Sequence, residues 1–226
     1  MSKKTFFVTG TDTNVGKTQI AAGLLHLANS QGLSTLGLKP VAAGCEKTEQ
    51  GLRNQDALLL QAVSSIKLPY EQINPVTLLE PVSPHIAAQQ EKRVLSADRL
   101  AGFCRGSFHM ANFTLVEGAG GWRVPINPSE TMADLVQVLQ TPVILVVGMR
   151  LGCLNHALLT VEAIRQDGLP IVAWVANCLD VNMRATDENI QTLQQRIPAP
   201  CLGVVPFMNQ QTPEKFAEYL SLSGLM

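Results

Sequence analysis

The chain has 226 residues, with 17 basic and 18 acidic side chains and a formal net charge of −1. That length suits one sizeable domain, residues 1–226, with a buried core, and the near-neutral balance gives no reason to expect nucleic acid or an anionic membrane as partner. No apolar run approaches the roughly 18 residues of a spanning helix, and the basic Met1-Ser2-Lys3-Lys4 is followed by too short an apolar run for a secretory leader. Five cysteines, odd in number and without a C-x-x-C pair, argue against a disulfide scaffold or zinc site and for a reducing cytoplasm. The four histidines are scattered and read as structural.

The first strand, residues 5–9, carries Phe6-Phe7-Val8 straight into Gly10-Thr11-Asp12-Thr13-Asn14-Val15-Gly16-Lys17-Thr18. A helix follows over Lys17–Ser30, with Gly32 as its C-cap. Strand, small-residue loop ending in Gly-Lys-Thr, then helix is the context of a phosphate-binding loop. Its backbone N–H groups wrap a phosphate, and the helix N-terminus adds its positive dipole end. Lys17 pairs with the β- and γ-phosphates, and the Thr18 hydroxyl ligates Mg²⁺. The spacing is unusual: five residues separate Gly10 from Gly16, where four are standard, and Thr11 stands at a usual glycine position.

The second strand, residues 35–41, carries Lys39 near its end and is expected beside the first, across from Lys17. A polar loop, 42–54, leads to a helix opened by Asp56 and running through Ala62. Four prolines between residues 68 and 84 make that stretch irregular. Helices are expected over 85–90 and, capped by Ser96, to about residue 110. A buried strand, 113–116, ends in Glu117-Gly118-Ala119-Gly120-Gly121. Then come helix 131–140, strand 142–147, helix 155–167 stopped by Gly168, and strand 170–176 ending at Asn177. Helix 184–196, strand 202–205 and helix 213–222 complete the chain. Continuous apolar strands alternating with helices predict an α/β fold, a doubly wound, mostly parallel sheet of P-loop NTPase type with helices on both faces. Ligands bind at the carboxyl ends of such strands. The polar residues there are Lys39, Glu117, Arg150, Asn177 and those following Pro206. Glu117 holds the position of a Walker-B carboxylate, and Asn155 that of a helix N-cap.

The ordered set of segments resembles the dethiobiotin synthetase family over nearly the whole chain. It comprises the 10–18 loop, Lys39-Pro40-Val41-Ala42-Ala43-Gly44, Gly51-Leu52-Arg53-Asn54-Gln55-Asp56-Ala57, Pro84-His85, Glu117 to Gly121, Gly152-Cys153-Leu154-Asn155-His156 and Trp174-Val175-Ala176-Asn177. The resemblance implies closure of a cyclic urea from 7,8-diaminopelargonic acid (7,8-diaminononanoate), carbon dioxide and ATP, with Mg²⁺. It implies Lys17 and Lys39 as catalytic cations, and Thr18, Asp56 and Glu117 as metal ligands. The nucleotide would meet Asn14, Val15, Gly16, Lys17, Thr18, Gln19, Asp56, Glu117, Gly118, Ala119 and Gly120. Its base would meet Asn177, Cys178, Pro206, Phe207 and Met208, with Glu214 as an acidic neighbour. The diamine would meet Thr13, Lys39, Ala43, Gly120 and Gly121. Gly152 and Asn155 would receive its carboxylate tail from the partner subunit of a homodimer. Two positions depart from the family: Asn14 and Ala43 stand where glutamate and serine are frequent. They are the support for a degenerate, non-catalytic copy. A partitioning or regulatory ATPase of the same fold is the other alternative, although such proteins carry a lysine where Asp12 and Thr13 stand. Asn177-Cys178-Leu179-Asp180 is similar to a guanine-reading motif, but Cys178 replaces its lysine, so GTP is not favoured.

Overall fold

The computed structural model describes residues 3–209 and 211–226. Met1-Ser2, which open the stretch read as too short for a leader, lie outside them. In chain order the first half comprises β1 (Lys4–Gly10), α1 (Lys17–Ser30), β2 (Thr35–Leu38), β3 (Val41–Ala42), β4 (Glu46–Thr48), β5 (Gly51–Arg53), α2 (Gln55–Val63), α3 (Tyr70–Ile73), β6 (Val76–Thr77), α4 (Pro84–Gln90) and α5 (Ala97–Arg105). The second half comprises β7 (Phe113–Gly121), α6 (Met132–Leu139), β8 (Val143–Met149), α7 (Cys153–Gln166), β9 (Ile171–Cys178), α8 (Thr186–Arg196), β10 (Cys201–Val205) and α9 (Pro213–Ala217).

Six strands form one parallel sheet in the order β10-β9-β8-β1-β7-β2. The central strands are mostly apolar because both of their faces are covered. All seven residues of β8 are buried. Successive side chains alternate between faces. Val8, Leu115, Val146 and Val175 join Ile20 and Leu24 of α1 and Phe216 of α9 in one core. Phe7 and Val116 join Leu100 of α5 and Leu135 of α6 in another, while Leu145, Val147 and Trp174 pack under α7 and α8 in a third. Local signals set several helix starts. Ser96 accepts the Arg99 N–H at 3.3 Å, and Thr131 with Asp134 forms a reciprocal capping box ahead of α6.

Several expectations need correction. β2 does not neighbour β1: β7 lies between them, pairing Val8 with Glu117 on one side and Leu38 with Val116 on the other. β2 also stops at Leu38, because Val41–Ala42 pairs instead with Val76–Thr77 in a separate small sheet. The 42–54 loop contains a hairpin, β4 with β5, and the proline-punctuated stretch holds both α3 and β6. The glycine-rich run after Glu117 continues β7 through Gly121, which pairs with Gly10 beyond a register irregularity where Gly120 takes a left-handed φ of +65°. α7 begins at Cys153 with Gly152 as N-cap, so Asn155 lies inside the first turn and is not the cap. α5 ends at Arg105 and α9 at Ala217, both earlier than their apolar patterns suggest.

Candidate active site

All six main strands end at one edge, and the polar residues collect there. The 11–16 loop leaves β1 and turns back into α1. Asn14 and Gly16 have φ of +57° and +86°, left-handed values that tighten the loop. Lys17 Nζ donates to the Asp12 carbonyl at 3.0 Å, and the Asp12 carboxylate accepts the Thr13 N–H at 2.7 Å. Arg150, after β8, forms an ion pair with the same carboxylate. Lys17 is 6% exposed. Burial, followed by the repulsion of Lys39, lowers its pKa to about 8.

The placement of β7 between β1 and β2 puts Glu117 between the loop and Lys39. Its Oε1 accepts the Thr18 hydroxyl at 2.8 Å and the Lys39 ammonium at 2.5 Å. Lys39 also reaches Asp56 Oδ2 at 3.1 Å and the Gly118 carbonyl at 3.5 Å. Burial alone would lower the Lys39 pKa, but Glu117 and then Asp56 outweigh it and hold the ammonium above its usual range. For Asp56, burial pulls upward, yet Lys39 wins and keeps the carboxylate below its usual range. Glu117 Oε2 is buried and has no partner. Two carboxylates and a hydroxyl converge here, one carboxylate oxygen being orphaned. That is a hard-oxygen donor set of the kind Mg²⁺ takes alongside phosphate oxygens and water. Among the described residues no cluster of three or more His, Cys, Asp or Glu occurs.

Two cavities meet at this point. One, of about 680 Å³, is lined by Gly16, Lys17, Thr18, Gln19, Asn177, Cys178, Pro206, Phe207 and Met208. The other, of about 490 Å³, is lined by Ala43, Pro84, Ala119 and Val124. Thr13, Asn14, Lys39, Asp56 and Gly120 line both. Most of the residues picked from the sequence are therefore brought together. Val15 and Gly118 are buried and line neither cavity, and Gly121, which also lines neither, pairs with Gly10. Glu214 lines neither cavity; it is exposed, with His26 at 3.7 Å. Gly152 and Asn155 line neither cavity as well, and are exposed.

The sequence reading missed the supports of Lys39 and Asp56. The Asn74 amide donates to the Lys39 carbonyl at 2.7 Å, and its Oδ1 accepts the Tyr70 hydroxyl at 2.9 Å. That hydroxyl accepts the Asn54 N–H at 2.7 Å, and the Asn54 side chain caps α2 just ahead of Asp56. One buried network thus fixes the backbone beneath the lysine and the helix start beneath the carboxylate. The spacing of Tyr70 and Asn74, one helical turn apart, was the available signal, hidden by the prolines around it.

Solved structures with the same fold include the septum site-determining protein MinD with Mg-ADP from Pyrococcus horikoshii (TM-score 0.59, 15% identity, 96% of this chain and 86% of that one). A ParA family ATPase from Chlorobium tepidum is similar (TM-score 0.57, 13% identity, 96% and 91%). A family model described as an AAA domain matches residues 4–215. Sheet, loop and helix together define a P-loop NTPase. Full-length relatives are more specific. They include the ATP-dependent dethiobiotin synthetases BioD of Cellvibrio japonicus, 67% identical over all of this chain and 99% of that protein, and of Pseudomonas aeruginosa, 55% identical over 97% of each. The chain belongs to the dethiobiotin synthetase family. Its likeness to the partitioning ATPases extends to the fold alone, and the switch-ATPase alternative is not favoured.

Proposed function

We propose that the chain closes the ureido ring of dethiobiotin from 7,8-diaminopelargonic acid, carbon dioxide and ATP, releasing ADP and phosphate. One amine adds to carbon dioxide and loses a proton, giving a carbamate. A carbamate oxygen attacks the γ-phosphorus, ADP leaves, and a carbamic-phosphoric anhydride results. The second amine attacks the carbamoyl carbon, and the C–O bond to phosphate breaks as the ring closes. Two anions must meet in this sequence, so cations between them and fixed geometry provide most of the rate.

The observation that carries the reading is Lys39, a buried lysine on the seam of the two cavities whose ammonium form is favoured by Glu117 and Asp56. The larger cavity suits the nucleotide, with Lys17 at the phosphates and Asn177, Cys178 and Pro206 to Met208 at the base. The smaller suits the diamine, beside Thr13, Ala43 and Gly120. Thr18, Asp56 and Glu117 would hold Mg²⁺, which when bound neutralises phosphate charge. Asn14 and Ala43 remove neither lysine nor metal ligand, so the degenerate-copy reading gains nothing from the geometry. Free cysteines, and the lack of any membrane-spanning helix among the described residues, suit a cytoplasmic enzyme. ATP hydrolysis should require both the diamine and bicarbonate; hydrolysis indifferent to both would refute this function.

Gly152 and Asn155 fit the same reading as residues of a homodimer. They sit on the ligand-binding edge, exposed, Gly152 beside Leu151 at 97% exposure and Asn155 one turn before Leu159 at 58%. A partner's diamine can send its carboxylate toward the positive N-terminal end of α7. Asn155→Ala is expected to weaken diamine binding and spare ATP. Mixed with Lys39→Ala, it should regenerate activity, since one site of the heterodimer keeps both residues. No recovery after demonstrated subunit exchange would place each site within one chain.

Nucleotide binding should also take up protons. About half of the ligand-free molecules carry a neutral Lys17 at pH 8, and bound phosphates favour its charged form. Binding at pH 8 is then accompanied by uptake of about half a proton, falling to about a tenth at pH 7. Calorimetry in buffers of different ionisation enthalpy measures this directly. Proton release, or uptake independent of pH, would contradict the assignment of Lys17 to the phosphates.

A further inference from the structure

Asn177 stands at the end of β9, 6% exposed, where a base reader would offer both a donor and an acceptor. One of its two amide N–H donors is already engaged. Nδ2 donates to the Val15 carbonyl at 2.9 Å, across 162 positions of sequence. The contact is close: a Cβ added to Gly16 would lie 2.2 Å from Nδ2. Val15 itself is 1% exposed and wedged between strand ends. A Cβ at Gly10 would lie 2.4 Å from its Cγ2, and one at Gly148 would lie 2.8 Å from its Cγ1. The crest of the loop is therefore held twice, by an apolar side chain between β1 and β8 and by a hydrogen bond from β9. Gly16, Lys17 and Thr18 follow directly.

This attachment answers the unusual loop length. An additional residue between Gly10 and Gly16 gives the loop more conformations to lose when a ligand orders it. A loop already fixed in its bound shape avoids that cost at binding. The Asn177 amide can do this independently of the base, because its Oδ1 is not part of the bond to Val15.

We propose that Asn177 is a positioning residue for the phosphate loop, its bond to the Val15 carbonyl holding Gly16, Lys17 and Thr18 in phosphate-binding shape before nucleotide arrives. The functional half of this proposal rests on the reading that the loop binds triphosphate; the structural half is tested without any nucleotide.

Hydrogen exchange on the ligand-free full-length protein compares the wild type with Asn177→Ala and Asn177→Asp. The aspartate keeps the shape and the acceptor but, when ionised, offers no donor, and provides a second variant should the alanine fail to fold. Losing one buried hydrogen bond and leaving a carbonyl unpaired should speed local opening about tenfold. Amides of residues 11–18 are expected to exchange about tenfold faster in both variants, while those inside β7 and β8 keep wild-type rates. Inorganic tripolyphosphate, which has no base, should bind both variants about tenfold more weakly. Unchanged exchange at 11–18 with a loss confined to ATP affinity would make Asn177 a base reader only and overturn the proposal. Equal acceleration throughout the sheet would reduce it to a general stability residue and overturn it too. Faster loop exchange with unaltered tripolyphosphate affinity would reduce the bond to a structural brace and overturn its part in phosphate binding, whereas failure of the wild type to bind tripolyphosphate would refute the phosphate-binding reading of the loop.

Discussion

Replacing Lys39 with alanine is expected to lower turnover about 100- to 1000-fold, the usual loss when one stabiliser of developing charge is removed. ATP affinity should change by only a few-fold. The asymmetry follows from position. Lys39 sits where the two cavities meet, held by Glu117 at 2.5 Å and Asp56 at 3.1 Å, while Lys17 sits in the loop itself. Its ammonium can bridge a carbamate entering from one side and a phosphate held on the other. The substitution also leaves two carboxylates facing each other without their cation, so thermal unfolding should be measured on the same samples. A folded variant with near-normal turnover would remove Lys39 from the mechanism.

Replacing Lys17 with alanine should act one step earlier, on ATP binding. The ammonium is buried, and in the ligand-free protein it is satisfied by a neutral carbonyl, Asp12 O, at 3.0 Å. That is a weak partner for a charge, and burial has already lowered its pKa to about 8. A triphosphate supplies the missing anion. Loss of such a desolvated charge pair costs about 2–5 kcal/mol, so affinity is expected to fall by roughly 30-fold to several thousand-fold. Titration with ATP in the presence of Mg²⁺ checks this, and unchanged affinity would show that the phosphates lie elsewhere.

Much of this arrangement was legible in the sequence because it depends on local signals. The phosphate loop is contiguous, flanked by an apolar strand and a helix, and its edges fall as expected: α1 runs over Lys17–Ser30. Glu117 and Asn177 were found because ligand-facing polar residues interrupt otherwise apolar strands. Strand order was not legible. β7 inserts between β1 and β2, and nothing local to residues 35–41 or 113–121 encodes which neighbour each strand takes. That order decides the chemistry, since it makes Glu117 the residue that touches both Thr18 and Lys39. The supports Tyr70 and Asn74 were obscured for a similar reason. Their value lies in partners 16 and 35 residues away, Asn54 and Lys39, within a stretch whose prolines suggested irregular chain. The α7 start was misplaced because Gly152, with φ of +95°, caps the helix through its backbone and leaves Asn155 free to face outward.

The most direct test supplies the purified protein with 7,8-diaminopelargonic acid, Mg²⁺, ATP and ¹³C-bicarbonate, and follows products by mass spectrometry. The account predicts dethiobiotin one mass unit heavier than unlabelled standard, one ADP for each ring closed, and no ADP when either the diamine or bicarbonate is withheld. ATP consumed without labelled cyclic urea would contradict it.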